Sequence, residues 1–490
     1  MNGNMLGRYI GVFVNKKDFP KIHFYDQDFV DMYDKTWALL EDYWHQSAGT
    51  KTASEGFFVY PSERGMILEQ YETVFSTFFL VYSNKNYTSS TGLDYFYSQQ
   101  EEDGAIRAMY DLETNAPVFT EDNPEGLSMP LFSWAEFNIY HKTGNKKRVK
   151  EVLPILLKHT KWIEEHFKSE NGLYRTPVSA CNMGNTPRNL ATYLIDFNAC
   201  MAINVLYLSA LGDILNDKEI MFQYKRTYFT IKTRISEMMW NNEDSFYYDL
   251  DDNKQQIRKK TIAGFWALLA EIPNIDKANS LIAHLENPNS FGTEHPFPSL
   301  AASEAEYSEM GEGYRGGVFP ILNFIVIKGL EKYEKWELAR EYTMRHLYSV
   351  LGTMTPCDDS KENGILWESY LPSKDGKSTW TGRDGFPRKQ YVLTVGLSTI
   401  TLMIENIIGL LISLPKKTVD WTIPVLELMG IENLSLKRNF ITIIASKSQR
   451  GWEIHMESEK LYYFTINIIN KKKKTLPIPS GKCSMFIDKI

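Results

Sequence analysis

The positions Phe29, Met32, Tyr33, Thr36, Trp37, Leu40 and Trp44 recur at the spacing of one helical face and predict a first helix over 22–46. The same periodicity predicts helices over 65–82, 93–100, 129–141, 147–167, 193–211 and 218–240, then over 261–271, 275–285, 317–333, 336–351 and 389–412. Between them the only alternating pattern is in short runs such as Ser245 to Leu250. Two loops, Asp111 to Ser128 and Asn171 to Ala191, are long and rich in Pro, Gly, Asn and Asp, and long loops in compact domains are frequently functional. Helices that follow one another as hairpins over about 400 residues predict a mainly α fold, a closed (α/α)6 toroid. From about Lys416 the period falls to two, in Phe440 to Ala445, Trp452 to Met456 and Leu461 to Ile468. These strands predict a small antiparallel β-module, dividing the chain at 1–415 and 416–490.

Composition narrows the function classes. The 490 residues carry a net charge of −7 with both signs interspersed, which gives no electrostatic case for nucleic acid or an anionic membrane as partner. The run Lys471 to Lys474 reads as a solvated turn or a blunted sheet edge. Gly396 to Leu414 is long enough to span a bilayer but holds Glu405 and Asn406 in its middle, so it reads as a buried last helix. Cys181, Cys200, Cys357 and Cys483 lack the spacing of a zinc site or a disulfide framework. With no basic-then-apolar leader after Met1, the expected setting is the cytoplasm, where the Asn86 and Asn433 sequons carry no meaning. No cofactor or metal is expected, and the sequence leaves the oligomeric state open.

One loop concentrates chemistry. Gly364 to Pro372 sets Glu368 between Trp367 and Tyr370 and is bounded by turn residues. A carboxylate flanked by aromatics suits sugar chemistry, because aromatic faces stack on pyranose rings while a carboxylate activates water. Aromatic residues make up 13% of the chain, which fits carbohydrate binding and a packed helical core alike. Glu72, near the start of the second predicted helix, reads either as a first-turn acid that favours the helix dipole or as a ligand residue. Glu102 and Asp103 lie in a turn that could face a cleft.

Several segments, in chain order, resemble the trehalase, processing α-glucosidase I and mannosylglycerate hydrolase group of inverting glycosidases. Tyr71-Glu-Thr-Val-Phe75 occupies the place of a Trp-Asp-x-x-Phe segment in that group. Asn171-Gly-Leu-Tyr174 precedes Asn182-Met-Gly-Asn-Thr-Pro-Arg188, which is similar to Gly-Met-Asp-Asn-Ser-Pro-Arg, and Asp196-Phe-Asn-Ala199 follows as a helix start. Gly313-Tyr-Arg-Gly-Gly-Val-Phe-Pro320 precedes a helix with Asn323, Trp367-Glu-Ser-Tyr370 resembles the Trp-Glu-Asn-Tyr loop, and Gly396-Leu397 matches a late helix. The resemblance covers residues 65 to 410. It implies an (α/α)6 barrel whose cleft is lined by these loops, with a C-terminal β-module.

The resemblance also implies roles. An inverting glycosidase uses a protonated acid and a carboxylate base about 6.5–9.5 Å apart. Glu368 falls on the base of that group, but its acid falls on Gly184, and its aromatic subsite residues are replaced by Tyr71, Tyr314, Phe319 and Thr394. A relocated acid is expected from Glu72, Glu102, Asp103, Asp196, Glu304 or Glu306, of which Asp196 is nearest in sequence to the vacant position. The readier reading of Asp196 is a helix-start residue holding the preceding loop, and that of Glu304 and Glu306 is pairing with Arg315. Alternatively the substrate supplies the acid through its own anionic group, bound by Arg188, Arg315 or Arg107.

The expected function is thus a glycoside hydrolase acting on a small or anionic glycoside. Glu368 and Asp196 are the catalytic pair, and Tyr71, Glu72, Asn185, Arg188, Tyr314, Arg315, Trp367 and Tyr370 are the substrate-binding residues. The alternative is a catalytically inactive carbohydrate-binding or scaffold protein on the same toroid. A lyase or epimerase would need a His or Tyr at the site, and His141, His284 and His295 are isolated in the sequence.

Overall fold

The computed structural model describes residues 19–46, 56–60, 65–84, 86–355, 364–423, 427–436, 439–447, 449, 451–460, 462–468, 474–478 and 480–488. Cys357 and the lysines 471–473 lie outside these residues. The helices are α1 (Gln27–Leu40), α2 (Gln70–Leu80), α3 (Thr91–Ser98), α4 (Phe132–Thr143), α5 (Lys146–Phe167) and α6 (Ile195–Leu215). They continue as α7 (Lys218–Met238), α8 (Trp266–Leu269), α9 (Ile275–Glu286), α10 (Pro320–Lys332), α11 (Trp336–Met354) and α12 (Val392–Gly396). The last winds on in π form over Leu397–Ile407.

Local sequence explains where these helices start and stop. Asp26 accepts from the Asp28 amide ahead of α1, Asn145 from Arg148 ahead of α5 and Asp217 from Ile220 ahead of α7, each relieving a free N–H of the first turn. Pro320 opens α10, where no amide bond is lost. Within α1 six of the seven predicted face positions are the buried ones, Phe29, Met32, Tyr33, Thr36, Trp37 and Leu40, whereas Trp44 lies beyond the helix in a short strand, Trp44–Gln46, paired with Gly56–Phe58.

Even-numbered helices form the interior. Helix α2 packs on α4, α4 on α6, α6 on α8, α8 on α10, α10 on α12, and α12 returns to α2. This explains why α6 and α10 are apolar around most of their circumference, whereas α5 and α7 show one buried stripe. Helix α8 is only a single turn after a 3-10 segment, Ile262–Phe265, and packs tightly: a Cβ at Gly329 of α10 would stand 2.9 Å from Leu268 Cβ. Among the described residues α6 is long and apolar enough to cross a membrane, and 72% of its most apolar window is buried inside the protein.

Three helix expectations change at their ends. Lys21–Phe24 is a strand, because it pairs antiparallel with Met429–Glu432. Ile67–Glu69 is a strand on Met109–Asp111, which delays α2 to Gln70. Leu410–Ser413 leaves the last helix to pair with Thr418–Trp421.

The C-terminal strands form two sheets. One, of five strands, runs Lys21–Phe24, Met429–Leu436, Asn439–Lys447, Gly451–Ser458, Gly481–Asp488 with antiparallel neighbours throughout. The other, of four, runs Leu410–Ser413, Thr418–Ile423, Tyr462–Ile468, Lys474–Ile478, and its central pair is parallel. The β-region therefore begins at Leu410 and takes one strand from the N-terminal side of the helices.

Candidate active site

Segments preceding α2, α4, α6, α10 and α12 meet at one cleft of about 330 Å³. Glu69, Tyr71 and Glu72 reach it from the start of α2, Ser179 to Gly184 from the loop before α6, and Tyr314, Phe319 and Ile321 from the start of α10. Glu368, Trp380, Arg383, Arg388, Tyr391 and Thr394 complete the wall ahead of and within α12. The N-terminal ends of α2, α10 and α12 thus open on this cleft, and such ends favour negative charge.

Glu368 is 4% exposed and every contact on its carboxylate is cationic or an N–H donor. Arg388 donates from Nε to Oε2 at 3.0 Å and from Nη2 to Oε1 at 2.8 Å, and its backbone amide adds 3.1 Å to Oε2. Arg383 stands 3.6 Å from Oε1. Burial alone would raise the carboxyl, but the charge and fork of Arg388, with Arg383 behind, hold it below the ordinary carboxylate value. Glu368 is an anion at neutral pH.

Glu72 has the opposite state. Its Oε1 accepts from Arg388 Nη2 at 3.2 Å, the same nitrogen that serves Glu368. Burial, the neighbouring charge of Glu69 and that of Glu368 outweigh Arg388 and push Glu72 up to about 8. A neutral carboxyl accepts the long Nη2 bond through its carbonyl oxygen and keeps a proton on the other. Because one nitrogen serves both groups, their nearest oxygens are no farther apart than the two bond lengths laid end to end. One carboxyl kept neutral beside one kept ionised is the arrangement an acid and base pair needs.

Aromatic rings line the rest. Tyr314 stacks on Phe319 with centroids 4.2 Å apart and an interplanar angle of 8°, and Trp380 meets Tyr314 edge-on at 5.9 Å. Arg383 lies over Trp380 and Phe386 at 5.6 and 5.5 Å. Two polar staples hold these loops together. Asn185 donates to Glu312 O at 2.9 Å and accepts from the Tyr314 amide at 2.7 Å. Glu312 Oε1 accepts from the amide and the hydroxyl of Thr381, each at 2.8 Å.

Of the residues singled out from sequence, the fold brings Tyr71, Glu72, Tyr314 and Glu368 to the cleft, with Phe319 and Thr394. Asn185 stands behind the wall as a staple. Asp196 is fully buried elsewhere, forked by Arg188 at 2.7 and 2.8 Å, and Arg188 also bonds Asp249 twice at 2.8 Å. The catalytic reading of Asp196 and the binding reading of Arg188 therefore give way to a buried ion triad that pins the Gly184 loop to the start of α6. Arg315 is exposed and bonds Asn185 O at 3.1 Å, outside the cleft lining.

Trp367 and Tyr370 are buried behind Glu368 rather than beside a sugar site: Tyr370 Oη accepts from the Trp367 amide at 3.0 Å and closes the loop. Arg107 is forked by Glu101 at 2.7 and 2.6 Å. Among the other acid candidates, Glu304 and Glu306 bind Lys259 at 3.7 and 2.7 Å, Asp103 caps Ala105 at 3.0 Å, and Glu102 is exposed. None of these lines the cleft, nor do His141, His284 and His295.

Trp380, Arg383 and Arg388 were missed in the sequence. Their signal was a Gly- and Pro-rich stretch, Thr379-Trp-Thr-Gly-Arg-Asp-Gly-Phe-Pro-Arg388, directly after the Glu368 loop. Among the described residues no group of three or more His, Cys, Asp or Glu side chains is placed to hold a metal ion.

Residues 84–386 match the mannosylglycerate hydrolase MGH1-like glycoside hydrolase domain. The chain belongs to this glycoside hydrolase family. Residues 409–490 match the trehalase C-terminal domain, which begins where Leu410 leaves the last helix. An uncharacterized protein of Borreliella burgdorferi is 50% identical over 480 residues, 97% of this chain and 100% of its own length.

Among solved structures, a GH63 mannosylglycerate hydrolase from Thermus thermophilus, crystallised with glucose, is similar over 75% of this chain and 99% of its own, with 18% identity and a TM-score of 0.57. A GH78 family rhamnosidase of Bacillus sp. GL1 is similar over 92% of this chain and 42% of its own, with 12% identity and a TM-score of 0.65. At such identities the likeness concerns the fold.

Proposed function

We propose that this family member is a glycoside hydrolase acting on a small or anionic glycoside, with Glu368 as general base and Glu72 as the relocated general acid. The observation that carries it is the shared Arg388 nitrogen, 2.8 Å from Glu368 and 3.2 Å from Glu72, which sets an ionised and a neutral carboxyl side by side in an aromatic cleft. Glu72 gives its proton to the glycosidic oxygen as the bond from that oxygen to the anomeric carbon breaks. Glu368 takes a proton from the water whose oxygen bonds to that carbon.

Tyr71, Tyr314, Phe319 and Trp380 supply the ring faces, and Arg383 supplies a cation for an anionic substituent. The cleft's volume of about 330 Å³ supports a small substrate. We further take the closed cycle of even-numbered helices as the inner ring of an (α/α)6 toroid. The buried free thiols of Cys181 and Cys200 support a reducing, cytoplasmic setting.

A second reading, a carbohydrate-binding protein without catalysis, is favoured by one observation: both oxygens of Glu368 are already occupied by Arg388. One experiment separates the two. Neutral and uronic-acid glycosides with poor and activated leaving groups are offered to wild type, Glu368→Gln and Glu72→Gln, with NMR detection of the first anomer formed. The hydrolase reading expects turnover, a loss of roughly 100- to 10,000-fold in Glu368→Gln on all substrates, and a loss in Glu72→Gln that activated leaving groups rescue. Binding of glycosides without turnover by any of the three proteins establishes the second reading.

A further inference from the structure

Arg388 is fixed at both ends. Its backbone oxygen accepts from the Glu368 amide at 3.0 Å, and its guanidinium carbon lies 3.6 Å from the centre of the Tyr391 ring, with Tyr60 at 5.5 Å. The Tyr60 hydroxyl in turn donates to Lys389 O at 3.2 Å. Held flat on Tyr391, the guanidinium presents Nε and one Nη2 hydrogen to the two oxygens of Glu368, and only the remaining Nη2 hydrogen reaches Glu72. Glu368 thus receives two side-chain bonds and one backbone bond from Arg388, and Glu72 receives one.

We propose that Arg388 is the positioning residue that divides one proton unequally between the two cleft carboxyls, keeping Glu368 as the anion and Glu72 as the acid. This rests on reading the two as base and acid. Two buried carboxylates that share one guanidinium do not both ionise easily, and the one with the poorer share of it keeps the proton. The other groups that face the pair are Glu69 before α2, Arg383 from the Trp380 loop, and the phenols of Tyr60, Tyr314 and Tyr391. Arg383 lies nearer Glu368 and Glu69 acts on Glu72, so both reinforce the division.

The test compares Arg388→Met and Arg388→Lys with wild type in two ways. In the pH dependence of kcat/KM for a glycoside that wild type hydrolyses, the acid limb set by Glu368 is expected to move up by a pH unit or more in Arg388→Met, and by less in Arg388→Lys, which keeps the charge and loses the fork. A uniform drop at every pH with the limbs unmoved means a merely structural role and overturns the proposal.

The second readout needs no turnover. Glu368 is held below its unfolded value of about 4.3, so its contribution to stability is present above that value and lost as pH falls. In Arg388→Met the buried carboxyl has no forked cation, and the sign reverses. The difference in urea midpoint between wild type and Arg388→Met should therefore shrink between pH 7 and pH 4, while in the Glu368→Gln background Arg388→Met should show no such convergence. Equal pH slopes for wild type and Arg388→Met overturn the proposal even if the chain hydrolyses nothing, an outcome that would separately sink the hydrolase reading. If Arg388→Met does not fold, the same two comparisons are made with Arg388→Lys.

Discussion

A Cβ on Gly184 would stand 3.2 Å from Cη2 of Trp380, closer than carbon atoms in a packed protein normally sit. The loop that lacks a carboxylate and the loop that carries the tryptophan therefore form one feature: the indole lies against the backbone where an acid side chain would begin. Restoring an acid here means moving the ring.

Gly184→Asp alone should destabilise the chain by about 1–3 kcal/mol through overpacking, without raising hydrolysis. Combined with Trp380→Ala, the new carboxylate has room, and turnover of unactivated glycosides should rise at least tenfold over Trp380→Ala. Urea unfolding and initial rates measure both. Equal rates for the double and single Trp380 variants would show that position 184 does not reach the reacting bond.

Glu72, pushed up to about 8, should give the rate an alkaline limb near that pH, absent from Glu72→Gln. The same group bears on stability with a definite sign. A carboxyl whose folded value is raised contributes stability that is fully present below its unfolded value of about 4.3 and lost as pH rises through the folded value. The thermal midpoint of wild type should thus fall more steeply than that of Glu72→Gln as pH rises from about 5 to about 8. Parallel curves would place the proton elsewhere.

Asp196→Ala should cost about 3–5 kcal/mol, because it leaves Arg188, wholly buried, with Asp249 as its one remaining carboxylate partner. Asp196→Asn keeps the shape and should cost less. Neither variant should alter the pH profile of any activity the purified protein retains. A changed profile would return Asp196 to the catalytic machinery.

Glu312→Ala should loosen the Trp380 loop without unfolding the protein, since the carboxylate bonds only loop groups, Thr379 and Thr381. KM should rise several-fold with kcat nearly unchanged, the mark of weakened binding common to ground and transition states. Proteolysis within 379–388 should quicken. Unchanged KM and unchanged cleavage would mean that the bonds of Thr379 to Met310 and Gly313 hold the loop without Glu312.

What could be read from the chain followed the range of the interactions. The buried stripe of α1 and the spacing of α5 were legible because a helix repeats its environment every three to four residues. Lys21–Phe24 was not, because its partner strand lies at the other end of the chain and its four residues carry too short a pattern to mark a strand. The Glu368 loop was legible through its carboxylate and its turn residues, yet its aromatic neighbours Trp367 and Tyr370 do not line the cleft. Tyr370 closes the loop from behind, and the rings that face the cleft come from Tyr71, Tyr314 and Trp380.

The sequence by itself determined the class of fold, the order of helices before strands, and the identity of one carboxylate in a sugar-suited loop, since each is written in local periodicity, turn chemistry or motif order. Only the tertiary structure decided the electrostatics. Arg388 is 20 residues from Glu368 and 316 from Glu72 along the chain. Which carboxyl ionises, which keeps a proton and which is spent on a buried arginine depends on distance and desolvation, and those exist only once the loops have been brought together.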